Sequence, residues 1–126
     1  VPLSLLRPAD GTRLEDMFLQ LTADTARELV DRGVEAVLAT LGAKGAVLVT
    51  ADGAWHAQHA PIRARSTVGA GDSSLAGYLI AHTRGATPPE RLSLAVAYGA
   101  AAAALPGTQA PRPEELAVAD VRVIAL

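Results

Sequence analysis

The 126-residue chain has no cysteine, which excludes disulfides, thiolate metal sites and thiol nucleophiles. Aromatic residues make up 3 % of it, as Phe18, Trp55, Tyr78 and Tyr98, too few for a base-stacking platform. Lysine occurs only at Lys44, the 11 Lys and Arg are scattered against 13 Asp and Glu, and the net charge is −2. Neither a nucleic-acid surface nor an anionic-membrane surface is expected from that balance. The longest apolar run, Leu92 to Leu105, is broken by Ser93 and too short to span a bilayer. No basic leader precedes the apolar residues of Val1-Pro2-Leu3-Ser4-Leu5-Leu6, so a cytoplasmic protein is expected.

Apolar residues are 50 % and charged residues 19 %, a globular composition able to support one core. Much of the apolar share is alanine, which suits close helix packing. Residues 1–22 give a weak pattern: Pro2, Pro8 and Gly11 interrupt it, and Leu14–Leu21 fits a short helix. Thr22-Ala23-Asp24 offers N-cap candidates for a second helix that ends at Gly33. Val34–Leu41 is a nearly continuous apolar run, the pattern of a buried parallel strand. Ala46–Thr50 follows across the tight Gly42–Gly45 turn as a hairpin partner. Asp52-Gly53 then signals a turn into a third strand, Trp55–Ala60. Helical spacing covers Asp72–Arg84 and, after Pro88-Pro89, a run to about Leu105. A short helix near Glu114–Ala117 and a last strand, Val121–Leu126, complete the pattern.

The most informative segment is Ser66-Thr67-Val68-Gly69-Ala70-Gly71-Asp72 at a helix start. Two closely spaced glycines let successive N–H groups face a ligand, and the positive end of the helix dipole aims at the same place. This is an anion site, most often for phosphate; taken alone, the same residues also fit simple helix capping. An acid at its rim would repel the anion unless it had a task such as accepting a proton. A second glycine turn, Thr40 to Gly45, stands at the carboxyl end of a strand, where α/β sheets bind ligands; taken alone, it fits an ordinary hairpin turn better. No P-loop string occurs, and the dinucleotide fingerprint fails because Ser74 stands where its third glycine belongs. Ser73 and Ser74 lack a G-x-S-x-G elbow. His56 and His59 read as surface strand residues, and Arg63 with Arg65 share one face of an extended segment. No cluster of metal ligands is apparent.

The order of a TLG-x-x-G turn, a hairpin, STVGAGDSSLAGYL and then AVAYGAAAAALPGT resembles the C-terminal part of PfkB (ribokinase-like) carbohydrate kinases, most of all the 1-phosphofructokinase branch. That branch tolerates serine at position 66, where many members carry aspartate. The resemblance runs from about Asp24 to Thr108. It implies an α/β, three-layer ribokinase-like fold with a mostly parallel sheet and an antiparallel hairpin, with residues 23–126 as the nucleotide-binding part. It also implies ATP-dependent phosphorylation of a sugar phosphate, such as fructose 1-phosphate to fructose 1,6-bisphosphate. Other sugar or nucleoside kinases of the family, or a truncated nucleotide-binding module, stay open. By resemblance, Asp72 is the catalytic base, and Gly69, Ala70 and Gly71 form the anion hole for the transferring phosphoryl group. Thr40, Leu41, Gly42, Ala43, Lys44 and Gly45 line the ATP phosphates and ribose. Val68 and Gly71 contact the nucleotide, while Val96 and Ala100 wall the adenine. Mg²⁺ arrives with ATP, K⁺ near the glycine loop is allowed, and a homodimer is compatible. The family's N-x-x-E element has no counterpart in this chain.

Overall fold

A computed structural model describes residues 14–126; the readings made for residues 1–13 lie outside the described residues. The elements in chain order are α1 (Leu14–Asp31), β1 (Ala36–Thr40), a 3-10 turn (Gly42–Lys44), β2 (Ala46–Thr50) and β3 (Gly53–His59). Then come α2 (Ala70–Thr83), α3 (Pro88–Ala104), two further 3-10 turns (Pro113–Glu115 and Val118–Asp120) and β4 (Val121–Ala125).

β2 is the centre of the molecule. All five of its residues are buried, because the sheet has helices on both faces, and its alternate side chains enter two separate cores. Ala46 and Leu48 pack with Ala57, Tyr78, Leu92, Ala95 and Val96, on the side of α2 and α3. Val47 and Val49 pack with Ala23 and Ala26 of α1. The layers are therefore helix, sheet and helix, as an α/β reading requires.

The sheet corrects one expectation. Its order is β1-β2-β3-β4 and every described pair is antiparallel, with Leu38 opposite Leu48 and Leu48 opposite Trp55. A parallel neighbour needs a crossover of a dozen or more residues, whereas the links from β1 to β2 and from β2 to β3 are tight turns. The apolar run at 34–41 signalled burial, and burial does not encode strand direction. Nor is that strand the most buried one: β1 is only half-buried, while β2 is covered completely.

The helix ends carry a second correction. The caps expected at Thr22–Asp24 do not form; α1 runs unbroken through them. Thr22 and Thr25 instead donate their hydroxyls to the carbonyls of Phe18 and Leu21, both at 2.9 Å. No proline or glycine interrupts residues 14–31, so nothing stops the helix there. Arg27 Nη1 donates to the Thr50 carbonyl at 2.9 Å and ties α1 to the end of β2. α3 begins as its sequence suggests, with Pro88 and Pro89 in the first turn behind a complete capping box. The Thr87 amide donates to Glu90 Oε2 at 3.0 Å, and the Glu90 amide to Thr87 Oγ1 at 3.4 Å.

α2 and α3 form the tightest contact between helices, and two glycines permit it. A Cβ on Gly77 would lie 2.8 Å from the Leu94 carbonyl and 2.7 Å from the Tyr98 ring. One on Gly99 would overlap the hydroxyl of Ser74. The alanine-rich face of α3 is thus explained by packing along much of its length. No described helix is long and apolar enough to cross a membrane.

Candidate functional site

An open cleft of about 1010 Å³ gathers residues from five separate stretches of chain. The turn after β1 contributes Thr40, Gly42, Ala43 and Gly45. The start of α2 contributes Thr67, Ala70, Gly71 and Ser74, and α3 adds Val96, Gly99, Ala100 and Ala103. The remaining wall comes from the end of β3 with the irregular segment after it, and from the approach to β4 with its first residues, including His59, Ile62, Asp120 and Arg122.

The start of α2 is built for close approach. Gly69 is its N-cap, with φ at +83° in the left-handed region, so the helix begins at Ala70, two residues earlier than expected. Asp72 consequently occupies the third helical position instead of the first. An additional Cβ at Gly69 or Gly71 would meet nothing within 4 Å, so the space in front of both stays open to a ligand. The Ala70 amide donates to the Thr67 carbonyl at 3.2 Å. Among the described residues no backbone acceptor engages the amides of Gly69, Gly71 or Asp72. Three N–H groups without a backbone acceptor, beside the positive end of a 14-residue helix, have the chemistry to attract an anion. The segment leading in is anchored from α3: the amides of Arg65 and Ser66 both donate to the Ala103 carbonyl, at 2.7 and 3.2 Å.

Several expected residues stand elsewhere. Asp72 is exposed on the first turn of α2, next to Gly71, and does not itself line the cleft. Val68 is 63 % exposed and outside the cleft wall. Leu41 turns to the opposite side and packs in the core beneath α1. Lys44 also points away, its Nζ lying 5.8 Å from the centre of the Phe18 ring. The side chain that seemed best suited to a phosphate thus serves the back of the turn.

The sequence reading missed other contributors. Ser74 was set aside as a failed nucleophile, yet it is buried and lines the cleft opposite Gly99. A glycine inside an alanine helix costs about 1 kcal/mol against alanine, so Gly99 was a visible sign of something pressed against it. Asp120 and Arg122 reach the cleft only through pairing of β4 with β3, and no local pattern announces them. His56 is buried, not at the surface: it is 7 % exposed, with Nε2 2.7 Å from the Lys44 carbonyl. No group of three or more His, Cys, Asp or Glu able to hold a metal occurs among the described residues.

The profile of the pfkB family carbohydrate kinases matches residues 14–115, which include both glycine segments and the whole α2–α3 pair. The chain belongs to the pfkB family. Among curated members, 1-phosphofructokinase of Haloferax volcanii is 36 % identical over 100 residues, covering 79 % of this chain and 33 % of the relative. The ATP-dependent 6-phosphofructokinase isozyme 2 of Mycobacterium tuberculosis is 39 % identical over 106 residues, covering 83 % and 31 %. Among solved structures, Escherichia coli phosphofructokinase-2 in complex with substrates and products superposes with a TM-score of 0.72 at 30 % identity. That match covers 75 % of this chain and 31 % of the neighbour. The chain therefore spans about a third of the length of these pfkB relatives.

Proposed function

We propose that this chain carries the nucleotide-binding and phosphoryl-transferring part of an ATP-dependent kinase acting on a sugar-phosphate hydroxyl. The reaction is assigned as fructose 1-phosphate to fructose 1,6-bisphosphate, the substrate class of the 1-phosphofructokinase relatives. One observation carries the reading: the 40–45 turn, the Ala70-Gly71 start of α2 and the small residues of α3, remote in sequence, border one cleft, with Gly69 just outside its wall.

Phosphoryl transfer asks a protein mainly for positioning and charge stabilisation. The amides of Gly69, Gly71 and Asp72 receive the transferring phosphoryl group; the Ala70 amide, already bonded to Thr67, contributes less. Val96 and Ala100 offer a flat apolar wall for adenine, and the 40–45 turn borders the phosphates and ribose through its backbone. Asp72, exposed and next in sequence to the cleft-lining Gly71, takes the proton from the attacking hydroxyl. Mg²⁺ would be held by the phosphates of ATP and would supply charge neutralisation there; among the described residues no group of three or more His, Cys, Asp or Glu occurs to hold it. Escherichia coli phosphofructokinase-2 has been solved in complex with potassium; K⁺ beside the glycine loop would take backbone carbonyl ligands. A homodimer and a cytoplasmic location belong to the same proposal.

The test measures ATP binding by calorimetry and sugar-dependent ADP release by a coupled assay on the same preparation. Release stimulated by fructose 1-phosphate supports the reading; release with another sugar or a nucleoside moves the chain to another kinase of the family. ATP binding with no stimulated release favours a non-catalytic nucleotide-binding module, a reading suggested by the exposure of Asp72 outside the cleft wall. Absence of ATP binding overturns both.

A further inference from the structure

The 42–45 turn borders the cleft with Gly42, Ala43 and Gly45, residues with almost no side chain to set their own conformation. Its one long side chain, Lys44, lies over Phe18 on the far side. The shape of this wall must therefore be imposed from outside it, and β3 does so at three successive residues. His56 Nε2 meets the Lys44 carbonyl at 2.7 Å. Because a carbonyl only accepts, Nε2 carries the proton and donates it. Gln58 Nε2 donates to the Ala43 carbonyl at 3.3 Å. Between them, Gly45 rests against Ala57 so closely that a Cβ would overlap the Ala57 carbonyl.

His56 and Gln58 are two residues apart on one strand and so project from the same face of the sheet. They grip consecutive carbonyls of the turn, which fixes the orientation of both peptide planes. Within the turn the Lys44 and Gly45 amides close bonds to the carbonyls of Leu41 and Gly42, at 3.2 and 3.0 Å. These two amides report whether the turn holds its shape.

We propose that His56 and Gln58 are positioning residues that hold the 42–45 turn in the form needed to receive a nucleotide. Neither touches the reacting atoms in this role; Gln58 also borders the cleft itself, whereas His56 does not, so His56 gives the cleaner test. The inference rests on the ATP-binding reading above, and its test separates the two. Hydrogen exchange at the Lys44 and Gly45 amides needs no nucleotide; ATP affinity is measured separately.

In the intact 126-residue chain, His56→Leu removes the donor while keeping an apolar side chain on the buried face. It should speed exchange at the Lys44 and Gly45 amides by about tenfold, the factor corresponding to one hydrogen bond, and leave the Leu48 amide at the sheet centre unchanged. The Kd for ATP should rise by about the same factor. His56→Gln, which keeps an N–H donor at comparable reach, should recover most of both. Gln58→Ala removes an exposed partner with little risk to the fold, and its effect should be about two- to threefold, in line with a longer bond. Unchanged exchange at the turn in both donor-removing variants overturns the proposal. Acceleration spread equally to Leu48 overturns it too, because it would mark general destabilisation. Altered exchange with an unchanged Kd overturns the link to the nucleotide. Failure of the wild-type chain to bind ATP refutes the functional reading, while the exchange data still decide whether β3 holds the turn.

Discussion

The 42–45 turn is gripped by His56 from behind, by Gln58 at the cleft edge and by the close seat of Gly45 on Ala57. Among the described residues, the 66–71 loop across the cleft is held by the Ala103 carbonyl at its base and by two short-range bonds, from the Ala70 amide to the Thr67 carbonyl and from the Val68 amide to Ser66 Oγ. Its glycines face open space, and three amides there have no backbone acceptor among the described residues. One wall of the cleft spends its hydrogen bonds on itself and gains a fixed form. The other keeps its donors unpaired, a state that costs free energy unless water or a ligand answers them. The contrast separates a surface that shapes a pocket from one whose free donors suit a negative charge.

The comparison breaks most sharply at Asp72. Asp72→Asn should lower turnover by about 10²–10⁴, the usual contribution of a general base, with the unfolding midpoint nearly unchanged because the side chain is exposed. Steady-state kinetics of the active kinase would show it; turnover near wild type would leave the loop as an anion site without a base. Next in size is Gly45→Ala, which combines a steric overlap with a φ of +85°. A loss of about 3 kcal/mol in denaturant unfolding is expected. Gly69→Ala provides the control on the open side: φ is +83° but nothing lies within 4 Å of the added carbon. Only backbone strain applies there, about 1–2 kcal/mol, so the ratio of the two glycine effects measures how much tighter the first wall is. The smallest effect belongs to Lys44→Ala, where loss of an exposed cation–π contact with Phe18 should cost about 0.5 kcal/mol by the same unfolding measurement.

Much of this arrangement could be read from local pattern. Gly33, Gly85 and the Pro88-Pro89 pair mark helix ends within a residue or two of where they fall. The Asp52-Gly53 signal places the turn between β2 and β3, and both glycine segments reach the cleft. Errors arose where a local pattern has two tertiary meanings. The apolar run at 34–41 meant burial, and the short links around β2 decided the antiparallel direction. Thr22 and Asp24 look like caps in isolation, yet a helix already under way satisfies their backbone without them. Lys44, placed by the resemblance among the residues lining the ATP phosphates, lies instead over Phe18 of α1 on the opposite side.

The order of elements, the composition of each face and the glycines that permit close backbone approach were set by sequence, because they follow from residue volume, φ freedom and hydrogen-bonding capacity at single positions. Which side chains meet across the sheet was decided by tertiary structure alone. His56 meets the turn at Lys44, Ser74 meets Gly99, and β4 brings Arg122 to the cleft only after distant segments have closed on one another. Such pairings depend on register and on which helix covers which face, and these are properties of the packed whole rather than of any stretch within it.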